Sequence, residues 1–262
     1  MKRLAIAIAA IALIGTSAFA ADLNKPVYKA PPPPPLAPVY NWTGWYVGGN
    51  VGGHWGTDKI TTTTQSGGGF TVAGAAAVDA ASPTSLHPDG VIGGVQAGYN
   101  WQVNTYLLGL EADADWLGGT ASRTLTGIPV VATGDFMTNS SKATFLATVR
   151  PRIGVVFDRA LFYATGGLAV GTVKTSDLFA GFGGTVFKTT SDTNTRTGWT
   201  VGGGLEYAFV NNWSAKVEYL FVDLGSFDTV IPNSPAGAPD SHTVHHKYTD
   251  NILRAGLNYQ FH

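Results

Sequence analysis

The chain contains no cysteine, and only 13% of its residues are charged. Without cysteine there are no disulfide cross-links and no thiolate metal sites, so stability has to come from the fold itself. Long apolar runs are missing too. None reaches the roughly 18 uninterrupted residues that a membrane-crossing helix requires, which excludes a helical membrane protein. Basic charge is not in excess: 16 Lys and Arg stand against 17 Asp and Glu, which argues against a nucleic-acid surface. What remains is glycine, 34 residues of it, and an aromatic content of 11%. Few charges, many glycines and many aromatics suit a β-rich chain whose outward face does not meet water.

The first residues read as an export signal: Lys2 and Arg3, the apolar run 4–14, then the small-residue site Ala18-Phe19-Ala20. Cleavage after Ala20 is expected, and loss of Lys2 and Arg3 takes the net charge from -1 to -3. Residues 21–40 form a proline-rich periplasmic segment with five consecutive prolines at 31–35. Such a run holds polyproline II and acts as a semi-rigid spacer. The body of the chain is then a single domain, 41–262.

That body alternates apolar and polar residues along eight segments. At 251–261, Leu253, Ala255, Leu257, Tyr259 and Phe261 oppose Arg254, Gly256, Asn258 and Gln260. At 106–116, Tyr106, Leu108, Leu110, Ala112, Ala114 and Trp116 oppose Glu111, Asp113 and Asp115. Similar patterns cover 44–55, 91–101, 145–157, 162–170, 199–209 and 213–221. A period of two over about ten residues fits a strand tilted across a bilayer.

Short turns near 102–105, 158–160 and 210–212 alternate with long connections at 56–90, 117–143, 171–198 and 223–247. An even strand number with short periplasmic turns and longer external loops is the pattern of outer-membrane barrels. The predicted fold is therefore an all-β, eight-stranded antiparallel transmembrane β-barrel with long extracellular loops and both ends in the periplasm. Lipid offers no partner for a backbone amide, so the sheet must close on itself. Aromatics cluster at both ends of the apolar segments, as expected for two interfacial girdles. Pro151 is discordant within its strand, since proline cannot donate to a ladder, and it predicts a bulge or a missing bond.

Three phrases carry a family resemblance: Asn41-Trp-Thr-Gly-Trp-Tyr-Val-Gly-Gly-Asn50, Val149-Arg-Pro-Arg-Ile-Gly154 and Asp158-Arg-Ala-Leu-Phe-Tyr-Ala-Thr-Gly-Gly-Leu-Ala169. With the aromatic end, they resemble the alphaproteobacterial outer-membrane immunogenic protein family, small porin-like β-barrels similar to the membrane domain of OmpA. The resemblance implies a component of the outer membrane of a Gram-negative bacterium with surface-exposed loops. It also implies insertion by the barrel assembly machinery, with Tyr259 and Phe261 in the terminal insertion signal. In that family the position of Pro151 is more often glycine, and the chain usually stops at phenylalanine, whereas here His262 follows.

Candidate chemistry lies on the inward face. Glu111, Asp113, Asp115, Glu206 and Glu218 nearly balance Arg150, Arg152, Lys216 and Arg254. In a narrow lumen these charges are expected to pair, forming a polar plug. A gated passage for small ions or solutes is the alternative. His242, His245 and His246, with His87 elsewhere, have the donor chemistry for zinc, copper or haem iron, against the plainer reading of a solvated, titrating loop. Ser241-His242 is the only adjacent nucleophile and base, too little for a lipid-modifying enzyme. No cofactor is implied. Expected partners are outer-membrane lipid and lipopolysaccharide, with periplasmic chaperones during biogenesis. The expected role is envelope integrity, with solute passage next and an adhesin or haem- or metal-binding role behind.

Overall fold

A computed structural model describes residues 40–66, 72–82, 84–126, 136–181, 185–232 and 241–261, all in the compact unit Val39–His262. The signal segment 1–20, the proline run and His262 lie outside these residues. No helix among the described residues is long and apolar enough to cross a membrane.

Eight long strands form the wall: β1 Gly44–Thr64, β3 Asp89–Val103, β4 Tyr106–Leu117, β6 Phe136–Phe157, β7 Ala160–Gly181, β8 Thr185–Val210, β9 Trp213–Pro232 and β10 Ser241–Phe261. Each pairs antiparallel with its neighbours in the order β1-β3-β4-β6-β7-β8-β9-β10, and β10 returns to β1 from Trp45↔Phe261 to Thr64↔His242. The sheet is therefore a closed ring. The short strands β2 Ser85–Leu86 and β5 Ala121–Thr126 add to β1 and β6, and a helix, α1 Val72–Ala81, lies in the first long connection.

The short turns have a common cause. Asn104, Asp158 and Asn211 each sit at positive φ, of 56°, 53° and 39°, as the first residue of a two-residue turn. Asn and Asp tolerate this conformation better than other non-glycine residues, and the turn geometry matches the twist of the strands it joins.

Outward positions are apolar and end in aromatic belts. Trp45 packs edge-to-face on Tyr99 and Trp213 on Tyr259 at one end; Trp116 meets Phe145 and Trp199 meets Phe221 at the other. The belts are ten residues apart on β1 (Trp45, Trp55) and on β4 (Tyr106, Trp116). At about 3.3 Å per residue and a tilt of roughly 40°, that is an apolar band about 25 Å tall, the height of an outer-membrane barrel's lipid face.

The long connections differ from the expectation. Much of 56–90, 117–143, 171–198 and 223–247 is strand, so the wall continues past the outer belt; β8 alone runs 26 residues. Stretches such as Thr61-Thr62-Thr63-Thr64 are polar but β-branched, which suits a pleated wall. Read by hydrophobic contrast alone they resemble loops.

Pro151 costs ladder pairs without shifting register. Its strand pairs Val149↔Leu168 and Arg152↔Thr165, while Arg150 and Pro151 have no partner on β7. Thr165 Oγ1 donates to the Pro151 carbonyl at 2.9 Å, so that oxygen is satisfied by a side chain. Successive amides point to opposite neighbours, and β8 still pairs Gly166↔Val201 and Gly167↔Thr200. Hydrogen exchange should therefore find the one of these two amides that faces β6 less protected than the other; equal protection of the two would mean an unbroken ladder.

Candidate functional site

The inward face of β4 places Glu111, Asp113 and Asp115 at alternate positions, all buried. Across the ladder β6 brings Arg150 and Arg152, while β8, β9 and β10 bring Glu206, Lys216, Glu218 and Arg254 from the far wall. All nine predicted lumen charges meet in one layer. Arg150 Nη2 donates to Glu111 at 2.7 Å and to Asp113 at 2.8 Å, and Lys216 Nζ reaches both Glu111 oxygens at 2.9 Å. Arg254 Nη1 meets Asp115 at 2.6 Å and its Nη2 meets Glu218 at 2.7 Å. Arg152 reaches Glu206 at 3.2 Å and forks onto Asn100 Oδ1 at 2.6 and 2.9 Å.

Neutral side chains complete the layer. Tyr46 donates to Glu111 at 2.7 Å, Tyr163 to Glu218 at 2.9 Å, and the Arg152 guanidinium lies 4.6 Å from the centre of the Tyr46 ring. Gln96, Asn258 and Asn50 continue the chain of hydrogen bonds across β3, β10 and β1. Glycine makes room for this. A Cβ at Gly98 would collide with the Tyr46 hydroxyl, and one at Gly204 would stand 2.8 Å from that of Tyr163.

The plug is bounded on both sides by apolar layers that sequence reading did not place. Towards the short turns, Trp42 (1% exposed) packs with Leu107, Val156, Leu161, Tyr163 and Ala208, with Tyr40 against them. Tyr40 donates to Gln260 at 2.9 Å, and burial pushes its phenol up to about 12. Towards the long hairpins lie Ile92, Leu117, Leu146, Leu220, Val222 and Ile252. Each of these aliphatics occupies an inward position, where polar residues were expected.

Further out, the extended wall encloses a second polar set. Asp58 lies 3.0 Å from His246 Nδ1, His246 stacks on Phe227, and Asn139 donates to Asp177 at 2.7 Å. Burial holds the Asp177 carboxyl above its ordinary range, an effect that the Asn139 hydrogen bond opposes. A carboxyl raised in the folded state favours folding at low pH. Its contribution is lost as pH rises from about 3.9 through the raised value. Asp177→Asn should therefore flatten the fall in melting temperature over that window, and an unchanged slope would assign the pH dependence to other groups.

The histidine cluster is corrected by this arrangement. His245 and His246 are consecutive in β10 and face opposite ways: His245 is exposed and bonds Asp228, whereas His246 is buried against Asp58. They cannot chelate one ion together. His242 pairs with Thr64 in the ladder, and Ser241 with Pro232. His87 lies elsewhere, beside Thr57 and Ser85. No group of three or more His, Asp or Glu suited to a metal occurs among the described residues.

A closed ring of eight tilted strands, belted by aromatics and filled by paired charges, defines an integral outer-membrane β-barrel. Residues 6–261 match the model of the outer membrane protein beta-barrel domain, and the chain belongs to that family. The 31 kDa outer-membrane immunogenic protein of Brucella melitensis is 38% identical over 255 residues, covering 95% of this chain and 96% of that one. The 22 kDa outer membrane protein of Rhizobium leguminosarum bv. viciae is 28% identical, over 87% of this chain and 82% of that one. Among solved structures, Neisserial surface protein A is matched at 14% identity with a TM-score of 0.38, over 84% of this chain and 98% of that one. The chain is accordingly an outer-membrane protein of a Gram-negative bacterium, in the group that includes the alphaproteobacterial immunogenic proteins.

Proposed function

We propose that the protein is a structural, non-enzymatic component of the outer membrane, a lumen-filled barrel that contributes to envelope integrity. The observation that carries this reading is the layered interior. A solute entering from the periplasm meets the Trp42 layer, then a plug of paired charges, then the Ile92 to Ile252 aliphatic layer. Crossing aliphatic layers strips water from an ion, and eight-stranded barrels are just wide enough for side chains to fill. Passage of small solutes would require all three layers to part. Insertion by the barrel assembly machinery, with Tyr259 and Phe261 in the recognised terminus and chaperones escorting the unfolded chain, belongs to the same reading. Both residues face outward at the end of β10, which closes the ring against β1.

The test is a strain lacking the protein. It should become more sensitive to bile salts and to large antibiotics that the outer membrane normally keeps out, and the wild-type chain should restore resistance. Unchanged sensitivity, with the protein demonstrably absent, would sink the integrity role.

A further inference from the structure

The wall above the outer aromatic belt carries an arrangement that the lumen does not explain. Lys59 on β1 and Lys247 on β10 are direct cross-strand partners, both exposed. Lys142 on β6 and Lys174 on β7 are also direct partners, again both exposed. The two pairs lie on opposite sides of the ring, with two long strands between them in either direction. Like charges directly opposite each other destabilise a sheet, and here the arrangement occurs twice. The other cross-strand neighbours supply hydroxyls instead of carboxylates: Ser85 beside Lys59, Ser226 beside Lys247 and Thr193 beside Lys174. The nearby Asp228 is engaged by His245.

Height identifies the partner. Lys59 is four residues beyond the belt residue Trp55, and Lys142 is three residues beyond Phe145. With the rise and tilt of barrel strands this places the lysine backbone positions about 8–10 Å above the belt, within side-chain reach of lipid headgroups. Below the Lys59–Lys247 pair the outer wall is lined by small and aliphatic side chains, and an open groove borders Val47, Gly49, Val51, Ala255 and Leu257. We propose that each lysine pair is a seat for a phosphate of the outer-leaflet glycolipid, the lipid A part of lipopolysaccharide, whose acyl chains lie along the apolar wall beneath. A phosphate between two ammonium groups turns a repulsive pair into a bridged one.

The proposal rests on the envelope reading only for the outward orientation of the long hairpins. Its test uses the refolded full-length barrel in detergent, with folding checked by heat-modifiable gel mobility. Lipopolysaccharide binding is titrated for the parent, K59Q/K247Q, K142Q/K174Q and the fourfold variant. Each lysine near such a surface is worth about fivefold in affinity, so each double variant should weaken its own seat roughly 30-fold while the opposite seat keeps parental affinity, and the fourfold variant should lose both. Lipopolysaccharide stripped of its lipid A phosphates should bind the parent as weakly as intact material binds the fourfold variant, and inorganic phosphate should not compete. A folded fourfold variant that binds like the parent would overturn the seat, as would equal binding of the stripped glycolipid. Neither outcome touches the filled lumen, which is read separately by conductance.

Discussion

Arg254→Ala should lower the unfolding free energy by about 3–5 kcal/mol, the usual cost of breaking a buried ion pair from one side. Arg254 is 1% exposed and donates to Asp115, Glu218 and Asp113. Its loss is unequal among them. Asp113 retains Arg150, and Glu218 retains Arg150 and Lys216, but Arg254 is the cation that meets Asp115. The damage should therefore concentrate on Asp115, and R254A/D115A should recover part of it. Arg254→Lys keeps the charge but loses the fork that spans two strands, so it should fall between the parent and alanine. Urea unfolding in lipid vesicles, followed by tryptophan fluorescence, measures all of these. A near-parental R254A would mean that water reaches the charges and solvates them, which a filled lumen does not allow.

Leu110→Arg should cost about 2–4 kcal/mol, whereas Tyr106→Arg on the same strand should cost only about 0–1. Leu110 is 53% exposed, and in water such a position would tolerate arginine within about 0.5 kcal/mol. The difference arises because Leu110 stands midway between Tyr106 and Trp116, in the centre of the apolar band, while Tyr106 lies at the interface where a long side chain reaches water. The same vesicle unfolding series reads both. Equal, small effects would place the outer face in an aqueous setting and contradict the membrane assignment.

The closed ring was legible because the lipid-facing face obeys one rule without exception: it must be apolar. Alternation at 106–116 and 251–261 gives strand and face together, and the lumen charges follow from parity. The partners within that set come from the ladder, which sets Arg254 opposite Glu218. Where the rule lapses, the sequence signal lapses too. Above the belts polar residues occupy both faces, so the period of two loses its contrast, and the extensions of β1, β6, β7, β8, β9 and β10 resemble loops in sequence. The alanine-rich segment 72–81 forms a helix inside an expected connection, as suits alanine, the strongest helix former. Inward Ile92, Leu146, Leu220 and Ile252 were hidden for the opposite reason: an aliphatic residue inside a barrel looks no different, in sequence, from one that faces lipid. Trp42 precedes the first strand, and only the folded ring shows that it closes the mouth.

These layers carry the central claim, that the barrel is filled from end to end. The most direct measurement is conductance of the purified, folded protein in planar bilayers, across salt concentrations and both polarities. The filled lumen predicts a quiet membrane, with no reproducible unitary steps even at high protein loading. Discrete steps of constant size that scale with salt and with the amount of folded protein would contradict it, and would make the plug a gate.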